Sequence, residues 1–253
     1  MMPSPFLSDQ LVADYDRDGY VILKSVFTPR EVELLLARVD MGKEGAGFGD
    51  TGGRKARLDF WSELETTIWG AASKCPRVVN NVRILLGEEA AFFHGKVTLK
   101  EARTGGAWEW HQDYGYWYEQ GFVFPRMISA SAALDPNRLE NGCLQVLRGS
   151  HKLGRLSHIA IQNQVGTDPK RLEQIERYFE RVPVILDPGD VLFFHCNTLH
   201  TSGPNDSDQH RRNFIMCYSA LGSPQLGQKK TSQPFPCPVG PDDVIEWFAA
   251  QPA

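Results

Sequence analysis

The chain has 253 residues, 42% apolar and 23% charged, with 27 basic against 31 acidic side chains and a net charge of −4. This composition excludes global disorder, and a mildly acidic chain lacks the basic footprint of a nucleic-acid binder. No apolar run approaches the roughly 18 residues needed to cross a bilayer, and the N-terminus MMPSPFLSDQLVADYDRDG has no basic stretch followed by an apolar core, so neither a membrane span nor a signal peptide is expected.

In chain order, Ser8 can cap a helix over Asp9–Asp16, with Leu11, Val12 and Tyr15 on one stripe and Gly19 as its stop. Gly19–Leu23 reads as a short strand. Thr28-Pro29-Arg30-Glu31 is a strong helix start, offering an N-cap threonine, proline at the first position and a capping-box glutamate. Val32, Leu35, Leu36 and Val39 follow at helical spacing, and Gly42 ends the helix. The glycine-rich Gly42–Gly53 stretch reads as a flexible linker or as a loop that covers a site.

From Ala90 the pattern turns to β. Phe93, Gly95, Val97 and Leu99 alternate with His94, Lys96, Thr98 and Lys100, the period of a strand with two unlike faces. Met127–Leu134, Gly142–Leu147, Val182–Leu186, Val191–His195 and Asn213–Ser219 are further strands. One helix interrupts them, opened by Asp168-Pro169 with a stripe of Leu172, Ile175, Tyr178 and Phe179. Asn141-Gly142 is a turn. Many short strands with turn punctuation predict a mainly β fold, a sandwich or jelly roll with flanking helices. The expected organisation is a single domain over 1–253: a helical region spanning 1–89, packed on a jelly-roll core 90–221, with a C-terminal extension 222–253. Cys75, Cys143, Cys196, Cys217 and Cys237 contain no CxxC pair, so they are expected to be free, buried thiols in a cytoplasmic, reducing compartment.

The stretch Trp108–Tyr118 holds His111-Gln112-Asp113. On a strand, residues two apart share a face, so this imidazole and carboxylate can converge. His200 follows about ninety residues on, after an apolar strand opened by Pro188-Gly189-Asp190. Two histidines and one carboxylate, with three positions open, form the facial arrangement of non-haem Fe(II) oxygenases. Eleven residues after His200, Arg211 and Asn213 share a strand face, where guanidinium and amide can grip one carboxylate. Metal triad and arginine together suit 2-oxoglutarate, whose keto-acid end chelates iron while its far carboxylate is anchored.

His111-Gln112-Asp113, then Asn141–His151, then His200-Thr-Ser-Gly-Pro-Asn205 and Arg211 resemble the phytanoyl-CoA dioxygenase family, which includes ectoine hydroxylase. The resemblance runs from about Leu7 to Leu221. It implies a double-stranded β-helix using Fe(II), 2-oxoglutarate and O2, with His111, Asp113 and His200 as iron ligands and Arg211 as the 2-oxoglutarate anchor. It also places Gln112, Thr98 and Ser202 near the co-substrate, although Thr98 stands where the family often has asparagine. The carboxylate of Asp113, lost in halogenating members, implies hydroxylation or another oxidation such as desaturation or ring closure.

Other residues carry plainer readings. His195 is structural, His151 caps a loop, and Arg212 is an outer-face charge. His94 and Lys96 either face substrate or line the wall. Trp117, on the face of His111 and Asp113 if the segment is a strand, would wall the substrate pocket. The expected partner is a small molecule of small to medium size, with no obligatory protein partner. The rival is a non-redox, metal-binding cupin, either a carboxylate sensor or a zinc hydrolase.

Overall fold

Local capping chemistry sets the first elements. In the computed structural model, which describes residues 6–39, 41, 46–64, 67–226 and 234–251, helix α1 (Asp9–Asp18) starts where the Ser8 hydroxyl accepts the Leu11 N–H. It ends at Gly19, whose φ of +84° is a left-handed conformation that glycine adopts without a Cβ penalty. Strand β1 (Tyr20–Leu23) follows. Helix α2 (Pro29–Leu36) opens with the expected capping box: Glu31 N–H donates to Thr28 Oγ1 at 3.2 Å, and Thr28 N–H donates to the Glu31 carboxylate at 2.7 Å. The helix stops at Leu36, well short of Gly42, and Val39 packs on the core from beyond its end.

The glycine-rich stretch is not all loop. Residues 42–45 lie outside the described residues, but β2 (Ala46–Gly49) pairs with β3 (Lys55–Trp61). Glycine carries little strand propensity, so the sheet partner and not the local sequence makes this a strand. Helices α3 (Ile68–Ala72) and α4 (Pro76–Leu86) complete the N-terminal region. That region is therefore not simply helical, since it lends three strands to a sheet.

The remaining elements are β4 (Ala90–Lys100), β5 (Trp108–His111), α5 (Asp113–Glu119), β6 (Met127–Ala133), β7 (Leu144–Leu147), β8 (His158–Ile161) and β9 (Gln164–Thr167). Then come α6 (Pro169–Glu176), β10 (Arg181–Pro183), β11 (Val191–His195), β12 (His200–Ser202), β13 (Arg211–Ala220), β14 (Phe235–Pro236) and α7 (Val244–Ala249). The expected strand Val182–Leu186 shortens to β10, and Leu186 pairs only through an isolated bridge to Asn137. On α6, Ile175 is buried, whereas Tyr178 lies past the helix end and is 83% exposed.

The strands form two antiparallel sheets and a hairpin. The larger sheet runs β1-β11-β6-β13-β4-β3-β2 with β14 beside β4, the smaller runs β10-β7-β12-β5, and β8 pairs with β9. This is a double-stranded β-helix. One face of the larger sheet carries Phe214, Met216 and Tyr218 of β13 against Val32, Leu35, Val78 and Val82 of the helices. Its other face looks into the roll, so β13 is buried on both sides.

Under the helices lies a buried ion pair. Arg77 of α4 donates to both Glu31 carboxylate oxygens, at 2.5 and 3.0 Å, and also to the Val26 carbonyl. Arg77→Ala strands the Glu31 carboxylate in the core and should cost about 3–5 kcal/mol in denaturant unfolding. Removing the exposed Arg30–Glu33 pair should cost less than about 1 kcal/mol. Equal effects would show that burial of the Arg77 pair carries no weight.

Candidate metal centre

His111 ends β5 and His200 opens β12, and antiparallel pairing makes them direct cross-strand partners. Their ring centroids are 4.1 Å apart. Asp113 joins them by a different route from the one the sequence suggested. The strand stops at His111, Gln112 is the N-cap, and Asp113 is the first residue of α5. A strand-to-helix turn, not strand parity, brings the carboxylate round. The three side chains are buried, and one ligand atom from each lies within 4.8 Å of the other two.

Hydrogen bonds fix the imidazoles. His111 Nδ1 is 2.6 Å from the Glu109 carbonyl, and His200 Nδ1 is 2.9 Å from the Thr198 carbonyl. A carbonyl only accepts, so each Nδ1 carries the hydrogen and each Nε2 lone pair is left for a metal. Burial pushes both histidines below their ordinary range. Burial pushes Asp113 upward, but Lys96 at 4.0 Å and the Ser129 hydroxyl at 2.6 Å outweigh it and hold the carboxyl below its ordinary range. Two neutral nitrogens and one anion fit Fe(II).

The triad opens on a cavity of about 320 Å³. The β4–β13 register sets Thr98 opposite Asn213 and Lys96 opposite Ile215, and these four line the cavity with His94 and Arg211. Ser202 lines it from β12. Trp117 also lines it, but from α5, not from a strand, with its ring edge-on to His94 at 6.0 Å. His94 faces the cavity as a neutral imidazole: burial first, then Lys96, pushes it down to about 3. Phe48, Phe60, Trp108, Tyr116 and Phe194 add aromatic walls.

Arg211 is 3% exposed and has no ion pair among the described residues. Its Nε lacks a partner, and Nη1 makes one long bond, 3.4 Å, to Asn137 Oδ1. Burial pulls the guanidinium down to about 10. A buried cation without a counter-ion is costly unless an anion is meant to arrive. Arg212 points the other way and forks onto Asp135 at 2.7 and 2.8 Å.

Two expectations need correction. Gln112 does not face the cavity; its amide is fully used on the backbone of Gly154, Leu156 and Asn197, bracing the loops behind the site. Asn213 lines the cavity, but its amide exchanges bonds of 3.0 and 3.1 Å with Asn137, so it is a brace and not a second grip. His195 is indeed structural, accepting the Asn197 N–H, and His151 bonds the Asp16 carbonyl. The sequence reading missed Ser129, Tyr116, Gln120 and the β8–β9 hairpin, which contributes Asn163 and Val165 to the cavity wall. The only signal for the hairpin was its two-residue Gln162-Asn163 turn.

The profile described as Phytanoyl-CoA dioxygenase (PhyH) matches residues 15–213. The ectoine dioxygenase of Bordetella bronchiseptica is 29% identical over 234 residues, covering 85% of this chain and 76% of that protein. The ectoine dioxygenase of Sphingopyxis alaskensis is 26% identical over 264 residues, covering 97% and 83%. Among solved structures, EctD from S. alaskensis with bound Fe has a TM-score of 0.75 at 23% identity, covering 95% of this chain and 89% of that one. The epimerase SnoN in complex with Fe3+, alpha ketoglutarate and nogalamycin RO has a TM-score of 0.71 at 25% identity, covering 92% and 96%.

His111→Ala, Asp113→Ala or His200→Ala should each abolish Fe(II)-dependent turnover while circular dichroism and melting stay near wild type, because the flanking core does not include these side chains. Near-normal turnover in any one would remove that residue from the triad. The buried histidines also predict an acid limit for the metal-free protein. Unfolded histidine takes up a proton near pH 6.5, whereas folded His94 and His195 do so only at about 3 and about 4. The unfolded state binds more protons below 6.5, so stability is full above that pH and is lost as pH falls toward 4, by up to about 1.4 kcal/mol per unit per histidine. Urea titrations between pH 7.5 and 4.5 should show this slope, and His195→Asn should flatten it.

Proposed function

The chain belongs to the phytanoyl-CoA dioxygenase family and is an Fe(II)- and 2-oxoglutarate-dependent dioxygenase; from that premise we propose that it hydroxylates a small organic molecule, with His111, Asp113 and His200 holding iron and Arg211 anchoring the far carboxylate of 2-oxoglutarate. The observation that carries this reading is the buried guanidinium of Arg211, without a counter-ion among the described residues and opening on the same cavity as the triad. A zinc hydrolase of the same ligand set gives that cation no task, which favours the oxygenase over the non-redox cupin.

Bound at the triad, Fe(II) supplies the oxygen chemistry, in which oxidative decarboxylation of 2-oxoglutarate to succinate and CO2 is coupled to oxidation of the substrate. The chain supplies the rest. Arg211 orients the co-substrate along the β13 face, with Thr98 and Ser202 beside it. Tyr116 and Trp117 wall the reacting centre, Phe60 lines the cavity from an exposed position, and Lys96 balances the charge of Asp113.

The cavity limits the substrate. Its volume of about 320 Å³ is at the low end of ligand pockets, roughly 300–1,000 Å³, and 2-oxoglutarate must share it. A compact substrate with apolar faces against Trp117 and Phe60 fits. Gln120 Oε1 is buried at the cavity wall without a partner among the described residues, which favours a substrate with an N–H or O–H to donate. Ectoine, named in the relatives, belongs in the first panel of compounds. Among the described residues no helix is long and apolar enough to cross a membrane, and five free, buried cysteines support a cytoplasmic location.

Anaerobic protein with Fe(II) and 2-oxoglutarate should develop a weak visible charge-transfer band, and admitting air with a substrate panel should release succinate with an oxygenated product. No band, together with tight Zn2+ binding, would overturn the assignment. Arg211→Lys keeps the charge but loses the fork, so 2-oxoglutarate affinity should fall by about 1.5–3 kcal/mol, while Arg212→Ala should change it little. The reverse pattern would mean that the anchor lies elsewhere.

A further inference from the structure

Asp113 has two carboxylate oxygens with different neighbours. Ser129, fully buried on β6, donates to Oδ2 at 2.6 Å. Oδ1 has Lys96 Nζ at 4.0 Å. Ser129 Oγ also lies 3.6 Å from the Cys217 sulfur. A serine hydroxyl has one hydrogen, and an ionised carboxylate can only accept, so that hydrogen goes to Asp113. The Cys217 thiol, which burial pushes up to about 12, stays protonated and donates to Ser129 in turn. The serine cannot drift, because β6 is paired on both sides: Ser129 stands opposite Phe194 of β11 and Cys217 of β13.

We propose that Ser129 is a positioning residue for the metal centre, occupying Asp113 Oδ2 so that the carboxylate ligates through one oxygen and the other coordination positions stay open for 2-oxoglutarate and O2. A carboxylate free of this bond can ligate through both oxygens, as carboxylates do at other metals, and would then take a position that the facial arrangement needs open. The inference rests on the triad reading above. Its reach is one hydrogen bond donated from β6, an inner strand of the larger sheet held between β11 and β13.

The test separates hydroxyl from bulk. Ser129→Ala removes the hydroxyl and adds no volume, while Ser129→Thr and Ser129→Val have the same shape and differ only in the hydroxyl. Mn(II) affinity of the full chain is measured by electron paramagnetic resonance without 2-oxoglutarate, and the anaerobic Fe(II)–2-oxoglutarate band is recorded beside it. Ser129→Ala should move Mn(II) affinity away from wild type, by about the 10–100-fold usual when a partner of a ligand is removed, with a shifted band. Ser129→Thr should stay closer to wild type than Ser129→Val in both readouts. Wild-type Mn(II) affinity and an unchanged band in Ser129→Ala would overturn the proposal whatever the two bulkier variants do. His200→Ala is the control: if it binds Mn(II) like wild type, the triad itself is wrong, and Ser129 is not what failed.

Discussion

The antiparallel pairing of β5 with β12 is the constraint on which the site depends. It sets His111 opposite His200 although 89 positions separate them, and no local preference could do so. Once paired, both rings are buried, and burial decides their chemistry. Charged imidazoles would be costly there, so both stay neutral, and backbone carbonyls at their Nδ1 atoms leave Nε2 free. The proposed metal centre is thus largely prepared by the sheet before any ligand arrives.

The anion in the triad is balanced by different means. Asp113 sits at the start of α5, where helix N–H groups favour negative charge, with Lys96 on one side and Ser129 on the other. Each neighbour comes from a separate element, α5, β4 and β6. The charge is therefore held by tertiary packing, whereas each histidine is held by a carbonyl two residues away in its own chain segment.

The larger sheet carries two burdens at once. One face closes the hydrophobic core against the helices, and the other presents Arg211, Asn213 and Ile215 to the cavity. Alternation along β13 makes this possible, because successive side chains leave opposite faces. It also explains why Arg211 and Arg212 have opposite fates. Arg212 finds Asp135 at once, whereas Arg211 is left buried with a long bond to Asn137 and an unpartnered Nε. Such a group weakens the fold, and in the proposed function that cost is exchanged for a site that takes an anion.

Much of this was legible in the chain alone. Periodicity and turn residues gave the mainly β core, and Ser8, Thr28, Glu31 and Gly19 marked helix ends through bonds that span only a few residues. The triad and Arg211 could be named because their chemistry is written in residue type and order. What only the tertiary structure decided was direction and partnership. Asp113 turned out to begin a helix; Gln112, between two ligands, faces backward; and the glycine-rich Ala46–Gly49 is a strand because β3 lies beside it. Ser129 and Gln120 carry no motif at all, since what is proposed for them rests on a hydrogen bond across 16 residues and on an oxygen left without one among the described residues. Local rules fix which residues can act; which way each side chain points, and what it meets there, depends on strands that pair across the whole chain.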